Sequence, residues 1–519
     1  MEKIESAPDA DIVRAWLVEL VAGYLECAPS AIVPGESLSE YGLDSVYSLT
    51  VCTDIEEKLG LSLEPTIIWD YPSIDALTGV LVKLLAARTD SGRDHLTAGH
   101  GRSLPSGALA AEAQLPDDIH PDPSAVPAAD APYRHVLLTG ATGFAGAFLL
   151  REILDRSEAR VFALVRAPDT GAGLDRVRDN LRRYGLWREA DAPRLVIVPG
   201  DLGLPGFGLP DDAYADLAER IDVIFHNGAA VNFVLPYARL KSVNVLGTQE
   251  VLRLACRRRI KPVHFVSSMG VFPERAGVNH FDETELLAPD GVMGSYRQSK
   301  WVADRLVTLA GQRGLPVCVY RPGNITGTQT TGVCTTDSII NDLLKGCIQA
   351  GSAMEFKIDM LLIPVDFCAA AIAHIGLGGR RHGVIFNMPG ARRLPWRKFI
   401  DMVNGCGYPV RTIPYGEWYA KLSAPEAANN ALRPYMALFE KNAPSVDIGV
   451  HGNEPRIATG NLDAALAGTG IECRAIDESL METYLDYFRS IGHLPPPPGL
   501  AHAMSRDVEE SVVADVADL

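Results

Sequence analysis

Several features that assign a chain to a membrane or secreted class are missing from this sequence. Its 519 residues contain no uninterrupted apolar run of the roughly 18 residues that a membrane-spanning helix needs. The N-terminus, MEKIESAPDADIV, is acidic, whereas a signal peptide begins with a basic segment followed by an apolar one. We therefore expect a cytoplasmic protein without a membrane partner.

Cysteine is scarce and unpatterned. The nine cysteines are odd in number, are scattered and include no C-x-x-C pair. This distribution fits neither a disulfide framework nor a zinc site, so we expect reduced thiols and no metal. The formal net charge of −17 argues against a nucleic-acid partner.

The first 88 residues predict a small all-α bundle of four helices. Apolar residues recur at helical spacing in DIVRAWLVELVAGYL, SVYSLTVCTDIEEKLG and SIDALTGVLVKLLA. This segment holds 15 acidic and 5 basic residues, and therefore much of the negative charge. Residues 89–109 are rich in Ser, Gly, Ala, Pro and His, a composition that predicts a flexible linker.

Strand and helix patterns then alternate. The expected strands are HVLLTG, ARVFALVRA, RLVIVPGDL, VIFHNGA, PVHFVSS, PVCVYRPG and GVIFNMPG. Near-continuous apolar strands separated by helices predict an α/β Rossmann-type doubly wound parallel sheet. We expect this unit to span residues 110–495, with a nucleotide-binding core over about 133–330 and a smaller C-terminal substrate-binding subdomain mostly after 330. Residues 496–519 are expected to be a disordered tail.

The stretch LLTGATGFAG predicts a dinucleotide-binding loop. Gly140, Gly143 and Gly146 follow a strand and precede the helix FLLREIL. Glycines let the backbone turn tightly and approach a pyrophosphate at a helix N-terminus, with Thr142 and Phe144 in the same loop. A plain glycine turn is the alternative interpretation.

The residues after the next two strands bear on which dinucleotide binds. The second strand ends in LVRA rather than in an acidic residue. Arg166 therefore favours a ribose 2′-phosphate and predicts NADPH, with Arg176 as a second cation or as a solvated helix residue. Asp201, next to Leu202, is a candidate adenine contact, and a helix N-cap is the alternative.

Three further stretches predict one catalytic centre. HFVSSMGVF ends a strand in Ser267 and Ser268, YRQSK supplies Tyr296 and Lys300, and RPGN follows another strand. Tyrosine and lysine four residues apart share a helical face, and the ammonium would lower the tyrosine pKa. A serine hydroxyl would stabilise the developing oxyanion. A surface helix remains the alternative for YxxxK.

This order of motifs resembles the extended short-chain dehydrogenase/reductase superfamily. The resemblance implies that Ser268 is the catalytic hydroxyl, with Ser267 as the second candidate, and that Lys300 also holds the nicotinamide ribose. The remaining cofactor contacts that it implies are Asn227, Ala229, Ser267, Tyr296, Pro322 and Gly323.

The chain also resembles a narrower group within that superfamily. HNGAAVNFVLPYARLKSVNVLGTQEVLRLA, YRQSKWVADRLV, KGCIQAG and IPVDFCAAAI are similar to terminal thioester reductase domains of nonribosomal peptide and polyketide synthases. One departure is that those domains usually have threonine where this chain has Ser268, which keeps the hydrogen-bond donor.

The N-terminal unit resembles acyl and peptidyl carrier domains. The similarity runs through GLDSVYSLTVCTDIEEKLGLSLEPTIIWDYPSIDAL. It implies that a separate phosphopantetheinyl transferase attaches 4′-phosphopantetheine to Ser45, where a helix N-terminus favours a phosphodiester. The alternative for Ser45 is a simple helix N-cap.

Together these resemblances imply an NADPH-dependent oxidoreductase that releases an acyl thioester from its carrier as an aldehyde, or as a primary alcohol after a second hydride transfer. The sequence shows no adenylation, condensation or ketosynthase-like region, so loading by an upstream synthase in trans is expected. The alternatives are redox-free cyclising release, which is associated with loss of the tyrosine, and a carrier-docking module on the same fold.

Overall fold

The computed structural model describes residues 10–25, 27–38, 41, 51–52, 54–56, 58–61, 63, 67–90, 103–121, 126–127, 132–233, 235–273, 280–284, 287–378, 382–427, 429–439 and 456–498. The chain divides into two compact units. The first comprises Met1–Arg102, Asn232–Pro236 and Tyr419–Pro444, and the second Ser103–Val231, Tyr237–Trp418 and Ser445–Leu519. Within the described ranges, every helix is too short or too polar to cross a bilayer.

The N-terminal part of the first unit is helical, as predicted. Its helices are α1 (Ala10–Tyr24), α2 (Ile67–Asp70) and α3 (Ile74–Asp90), and the described residues between 51 and 59 are helical as well. Leu17, Ile55, Leu77 and Leu81 are fully buried in one shared core. Val13, Leu17 and Val21 in α1, and Leu77 and Leu81 in α3, recur every four residues, which is the apolar stripe that the sequence predicted.

A seven-stranded sheet forms the centre of the second unit. Its strands are β1 (His135–Thr139), β2 (Arg160–Val165), β3 (Leu195–Pro199), β4 (Val223–His226), β5 (Val263–Val266), β6 (Val317–Pro322) and β7 (Val384–Met388). They are arranged in the order β7-β6-β5-β4-β1-β2-β3, with every neighbouring pair parallel. This confirms the predicted doubly wound sheet. The strand order reverses between β1 and β4, where such sheets bind ligands at their carboxyl ends.

Helices complete the second unit. Those wholly within it are α4 (Ser106–Glu112), α5 (Phe144–Arg156), α6 (Thr170–Arg183), α7 (Asp211–Arg220), α8 (Tyr237–Lys241), α9 (Gly247–Cys256), α10 (Ser295–Gln312), α11 (Ile339–Ala350), α12 (Val365–Leu377) and α13 (Trp396–Gly405). Tyr415–Ser423 is helical across the boundary of the two units, and α14 (Gly460–Leu466) and α15 (Glu478–Ser490) follow.

The sheet separates two apolar layers because alternate residues of each strand point to opposite faces. On β1, Leu137 packs in the layer that contains α7, α9 and α10, whereas Val136 and Leu138 pack with α5, α6 and α12. Both faces are therefore covered, which explains why the strands are apolar along most of their length.

Short paired strands lie outside the main sheet. They are Val126–Pro127 with Arg259–Ile260, Asn324–Thr326 with Leu362–Pro364, Ser352–Met354 with Arg411–Ile413, Asp359–Met360 with Leu394–Pro395, and His280–Phe281 with Arg456–Ile457. Two of these pairs, Ser352–Met354 with Arg411–Ile413 and Asp359–Met360 with Leu394–Pro395, fall after residue 330, where the sequence places most of the smaller substrate-binding subdomain.

The second unit begins earlier than the sequence suggested. We expected a linker up to residue 109, yet α4 starts at Ser106 and Leu109 is fully buried in the apolar layer next to α10. Leu104 packs against the same layer, so isolated leucines anchor a segment whose other residues are typical of a linker. Residues 91–102 of the expected linker and 499–519 of the expected tail lie outside the described residues.

Candidate active site

Many of the predicted site residues of the second unit follow four neighbouring strands. The loops after β1, β4, β5 and β6 begin at Gly140, Asn227, Ser267 and Gly323. Because the strands are parallel, these loops meet at one edge of the sheet, beside the reversal of strand order. The structure thus brings together stretches that are far apart in the sequence.

Steric contacts explain why the loop after β1 contains glycine at several positions. Gly140 has φ +77°, and a Cβ there would lie 2.7 Å from the Cα of Gly228. A Cβ on Gly146 would lie 1.8 Å from the carbonyl oxygen of Gly140. Side chains are therefore excluded where α5 approaches the loop, and the first turn of α5 can present its N–H groups to a phosphate. This cradle fits a dinucleotide.

Neighbouring side chains hold the glycine loop in place. Asn180 Nδ2 on α6 donates to the carbonyls of Ala141 and Gly143, at 3.1 Å each. Asn227 Nδ2 lies 3.4 Å from the carbonyl oxygen of Gly140. Phe144 packs edge-on against Phe148 and Tyr184, which fixes the start of α5. Thr142, between the glycines, is half-buried.

Two arginines lie together after β2. Arg166 follows the strand directly and is exposed, and Arg176 on α6 donates from Nη1 to the Arg166 carbonyl. That bond brings the two residues together at the carboxyl edge. The intervening turn is closed by Asp169, whose Oδ1 accepts from Ala172 N at 2.8 Å at the start of α6. The arrangement gives this edge two cations and no acidic residue at the end of β2.

Asp201 and Leu202 lie in the loop after β3. Asp201 Oδ1 accepts from Gly203 N at 2.8 Å, so the carboxylate closes a turn, and the next α-helix starts at Asp211. Leu202 packs so closely that a Cβ on Gly228 would lie 2.6 Å from its Cδ1. The β3 loop is therefore packed onto the turn that follows β4.

A buried polar pair, absent from the sequence prediction, positions the turn after β4. Thr139 Oγ1 accepts from Gly228 N at 2.9 Å and pairs with His226 Nδ1 at 2.8 Å. His226 Nε2 lies 3.0 Å from Thr248 Oγ1. Burial, and then the charge of Lys300, lower the pKa of His226 to about 3, so its imidazole is neutral. Asn227 and Ala229 are held in this turn.

The two serines after β5 have different surroundings. Ser267 is buried, and its Oγ donates to Asp304 Oδ2 at 2.6 Å. Ser268 is half-buried, and its Oγ accepts from Gly270 N at 3.0 Å. Ser267 therefore uses its proton within the protein, whereas the bond from Gly270 leaves the Ser268 proton to donate. This difference favours Ser268 as the reactive hydroxyl.

Lys300 is tied to the end of the strand that carries these serines. Its Nζ donates to the Val266 carbonyl at 2.8 Å and lies 4.5 Å from the centre of the Phe265 ring. Burial lowers the pKa of Lys300 to about 8, while the charge of Asp304 acts in the opposite direction.

Tyr296 lies one turn before Lys300 on α10 and is half-buried. The next residue, Arg297, donates from Nε to the Gly270 carbonyl at 2.8 Å and from Nη2 to the Phe272 carbonyl at 3.0 Å. Gly270 is also bonded to Ser268. The turn that contains Ser268 is therefore fastened to α10 beside Tyr296.

Asn244 connects the turn after β4 to α10, and sequence reasoning missed it. It lies in the π-helical turn Ser242–Leu246. Its Oδ1 accepts from Ala230 N at 2.7 Å, and its Nδ2 donates to the Ala230 carbonyl at 3.0 Å and to Ser299 Oγ at 2.9 Å. The signal available in the sequence was an asparagine inside a mainly apolar helical stretch.

A second missed element is a buried ion pair beneath the serines. Arg321 Nε and Nη2 donate to Asp304 at 2.9 and 2.7 Å, and both side chains are almost fully buried. Asp304 lies one turn after Lys300 on α10. The signal available in the sequence was a charged residue, Arg321 or Asp304, within each of two largely apolar segments.

Pro322 ends β6, and Gly323 begins the loop that follows it. Gly323 N donates to the Met388 carbonyl at 2.9 Å, and a Cβ on Gly323 would lie 2.6 Å from the Leu361 carbonyl oxygen. The backbone therefore passes closely between β7 and the smaller region. Among the described residues, no group of three or more His, Cys, Asp or Glu side chains is arranged to hold a metal ion.

Ser45 lies outside the described residues, as do its immediate neighbours in the sequence. Its assignment as the phosphopantetheine attachment site therefore depends on the sequence and on the comparisons that follow.

Two family models match the chain. Residues 15–81 match the phosphopantetheine attachment site, and residues 138–372 match the family described as male sterility protein. Among solved structures, the terminal R domain from the myxalamid PKS-NRPS biosynthetic pathway is 39% identical, with a TM-score of 0.70. The alignment covers 76% of this chain and 99% of that one.

Curated relatives are much longer proteins. A linear gramicidin synthase of Brevibacillus parabrevis is 33% identical over an alignment of 473 positions, which covers 88% of this chain and 9% of that protein. The large subunit of the L-2-aminoadipate reductase of Eremothecium gossypii is 30% identical over an alignment of 541 positions, gaps included, which covers 98% of this chain and 38% of that protein. The chain thus spans well under half the length of these relatives.

Proposed function

The chain belongs to the terminal reductase domains of peptide and polyketide synthases, preceded here by a phosphopantetheine carrier domain, and we propose that it releases a carrier-bound acyl chain by NADPH-dependent reduction of the thioester. The observation that carries this proposal is the fastening of the Ser268 turn to α10 beside Tyr296 and Lys300. These groups lie at the same edge of the sheet as the glycine cradle.

The glycine cradle, Arg166 and Arg176 would hold the dinucleotide, whose reduced nicotinamide supplies a hydride to the thioester carbonyl when bound. Ser268 Oγ would donate a hydrogen bond to the carbonyl oxygen, which becomes negatively charged in the transition state. Tyr296 would supply the proton that this oxygen takes up. Lys300, held by the Val266 carbonyl, would stabilise the phenolate that remains. Loss of the thiol then leaves an aldehyde, or an alcohol after a second reduction.

We further propose that Ser45 carries the 4′-phosphopantetheine arm, attached by a phosphopantetheinyl transferase, and that an upstream synthase loads the acyl group. The match of residues 15–81 to the phosphopantetheine attachment site supports this part of the proposal. The covalent tether would keep the thioester at a high local concentration near the reductase.

The first experiment loads Ser45 with an acyl-phosphopantetheine and adds NADPH or NADH in parallel. Cofactor absorbance and product mass are followed, with Tyr296→Phe as the matched variant and Ser45→Ala as the loading control. Aldehyde with one equivalent of NADPH, or alcohol with two, supports the proposal. We expect Tyr296→Phe to lose at least about 100-fold in rate while still binding NADPH.

Other outcomes would identify the alternatives. Release of a cyclic product without cofactor consumption would establish redox-free cyclisation. Carrier binding without release or cofactor use would establish a docking module. Either result, or a Tyr296→Phe variant as active as the parent, contradicts the proposed reduction.

A preference for NADPH is tested at the two arginines after β2. We expect Arg166→Ala and Arg176→Ala to raise KM for NADPH about tenfold or more, because each removes a charge-assisted contact to the 2′-phosphate. KM for NADH should stay unchanged. Arg182→Ala, an exposed arginine of the same α6 helix, is the matched control. Equal effects on both cofactors would contradict the assignment.

A further inference from the structure

The segment of residues 103–119, named the strap below, lies against the second unit just where that unit begins. Leu109, Leu115 and Ile119 belong to the apolar layer that contains α9 and α10. Arg313 fastens the strap through its guanidinium, which donates to the carbonyls of Leu115, Pro116 and Ile119 at 2.6 to 2.9 Å. The strap is therefore an integral part of the reductase unit.

The first two residues of the strap contact the beginning of α10. Ser103 Oγ accepts from Gly294 N at 2.8 Å. Leu104 N donates to Gln298 Oε1 at 2.7 Å, and Gln298 Nε2 donates back to the Leu104 carbonyl at 2.9 Å. Gln298, which is 1% exposed, also donates to the Val292 carbonyl at 3.0 Å. Together these bonds hold the first turn of the helix at two positions, Gly294 and Gln298. We call this set of bonds the clamp.

Tyr296 lies between the two clamped positions. The first turn of a helix has backbone N–H groups without partners inside the helix, so its geometry depends on contacts from outside. Gly294, which precedes the helix, has φ +84°, and because glycine lacks a Cβ its backbone could also let the chain enter α10 at other angles. The contacts of Ser103 and Leu104 restrict that angle and, with it, the direction of the Tyr296 side chain.

The other polar contacts of the strap are made away from the start of α10, with Arg313 just after the end of that helix and with two other helices. Glu112 pairs with Lys241 on α8 at 2.8 Å and accepts from the Tyr237 hydroxyl at 3.2 Å. Asp118 pairs with Arg253 on α9 at 2.5 Å. The clamp on α10 and the remaining attachment of the strap can therefore be disrupted separately.

We propose that Ser103, Leu104 and Gln298 are positioning residues that hold Tyr296 in its productive orientation. The segment through which the chain enters the reductase unit is thus part of its active site. The inference rests on the proposed reduction, since it assigns Tyr296 the role of proton donor. Because a displacement of about 1 Å can cost about 100-fold in rate, a clamp of this kind would affect turnover more than stability.

The test uses the full chain with acylated Ser45. Ser103→Ala removes the acceptor for Gly294 N, Ser103→Thr retains it, and Gln298→Met keeps length without the amide. Asp118→Ala is the matched control, because it removes a strap contact to α9 only. We measure kcat, KM for NADPH, thermal unfolding, and hydrogen exchange of the amides of residues 294–300.

We expect Ser103→Ala and Gln298→Met to lower kcat about tenfold or more with KM for NADPH unchanged. Amide exchange at the start of α10 should accelerate in both. Ser103→Thr should restore kcat, and Asp118→Ala should match the parent. Parental kcat in Ser103→Ala and Gln298→Met, or an equal loss in Asp118→Ala, would overturn the inference alone. A parent chain that reduces no thioester would overturn the proposed function and this inference with it.

Discussion

Burial determines the chemistry of Lys300. Its ammonium lies against the face of Phe265 and donates to the Val266 carbonyl, an environment with little water. Removing the charge from solvent disfavours protonation, and the pKa falls to about 8. Within the proposed mechanism, this lysine therefore changes charge near neutral pH rather than far above it.

A pH dependence of turnover follows. Lys300 is protonated below its pKa and neutral above it, and the proposed proton donation by Tyr296 needs the ammonium nearby. We expect kcat to be high below about pH 8 and to fall as the pH rises through that value. Measuring the rate of single-turnover reduction as a function of pH tests this expected fall. A flat profile between pH 7 and 10 would show that Lys300 does not support the proton transfer.

Asp304 affects both the protonation of Lys300 and the stability of the folded chain. Its charge raises the pKa of Lys300, and it also neutralises the buried Arg321. We expect Asp304→Asn to move the alkaline fall of kcat to lower pH. The same change should cost about 3–5 kcal/mol of unfolding free energy, because it leaves a buried charge unpaired.

A double variant separates these two effects of Asp304. Asp304→Leu with Arg321→Met removes both charges and should recover much of the stability in chemical denaturation. The shift of the pH profile should remain, since Asp304 is still absent. Recovery of the parental profile together with the stability would contradict a direct influence of Asp304 on Lys300.

At the scale of secondary-structure elements, the contact between the glycine loop and α5 leaves no room for a side chain. A Cβ on Gly146 would overlap the Gly140 carbonyl oxygen at 1.8 Å. That oxygen belongs to the backbone and cannot move aside without displacing the loop. The helix and the loop can therefore keep their present spacing only with glycine at position 146.

We expect Gly146→Ala to weaken NADPH binding at least about tenfold and to lower the thermal stability, because α5 must move away from the loop. Gly405→Ala is the matched control. It also changes a helical glycine, but nothing lies within 4 Å of its added Cβ. There we expect a neutral or slightly stabilising effect, up to about 1 kcal/mol. Fluorescence titration with NADPH and thermal denaturation distinguish the two, and equal behaviour would contradict the steric argument.

The sequence correctly predicted the secondary-structure elements whose formation depends on residues close together in the chain. All seven strands of the sheet are mainly apolar runs bounded by glycine, proline or polar residues, and each is found in the structure. The π-helical turn around Asn244 could not be predicted, because its asparagine is held by partners distant in sequence, at Ala230 and Ser299. The sequence predicts a linker over residues 103–109 of the strap for a related reason: their composition is that of a linker, and their order depends on Leu109 packing into an apolar layer built by later residues.

At the scale of the whole molecule, the match to a carrier domain and the match to a reductase lie in one chain, at residues 15–81 and 138–372. Covalent connection replaces a bimolecular encounter with a local concentration that does not depend on dilution. The advantage should be greatest when the protein itself is scarce.

We expect cleavage within residues 91–102, through an inserted protease site, to make the rate of thioester reduction depend on protein concentration. At low micromolar concentration the rate should fall about tenfold or more, because tethered partners reach effective concentrations near millimolar. The uncut chain should show a first-order rate independent of dilution. Reduction that is unchanged after cleavage would show that the two parts stay associated without the covalent link.

The strap also sets where synthase modules can be recombined. A reductase unit joined to a foreign carrier at residue 110 would lose Ser103, Leu104 and Leu109, and with them the outer support of α10. A joint placed upstream of Ser103 transfers the complete unit. When hybrid synthases are assembled, the reductase should therefore be transferred together with residues 103–109, although their composition is that of a spacer.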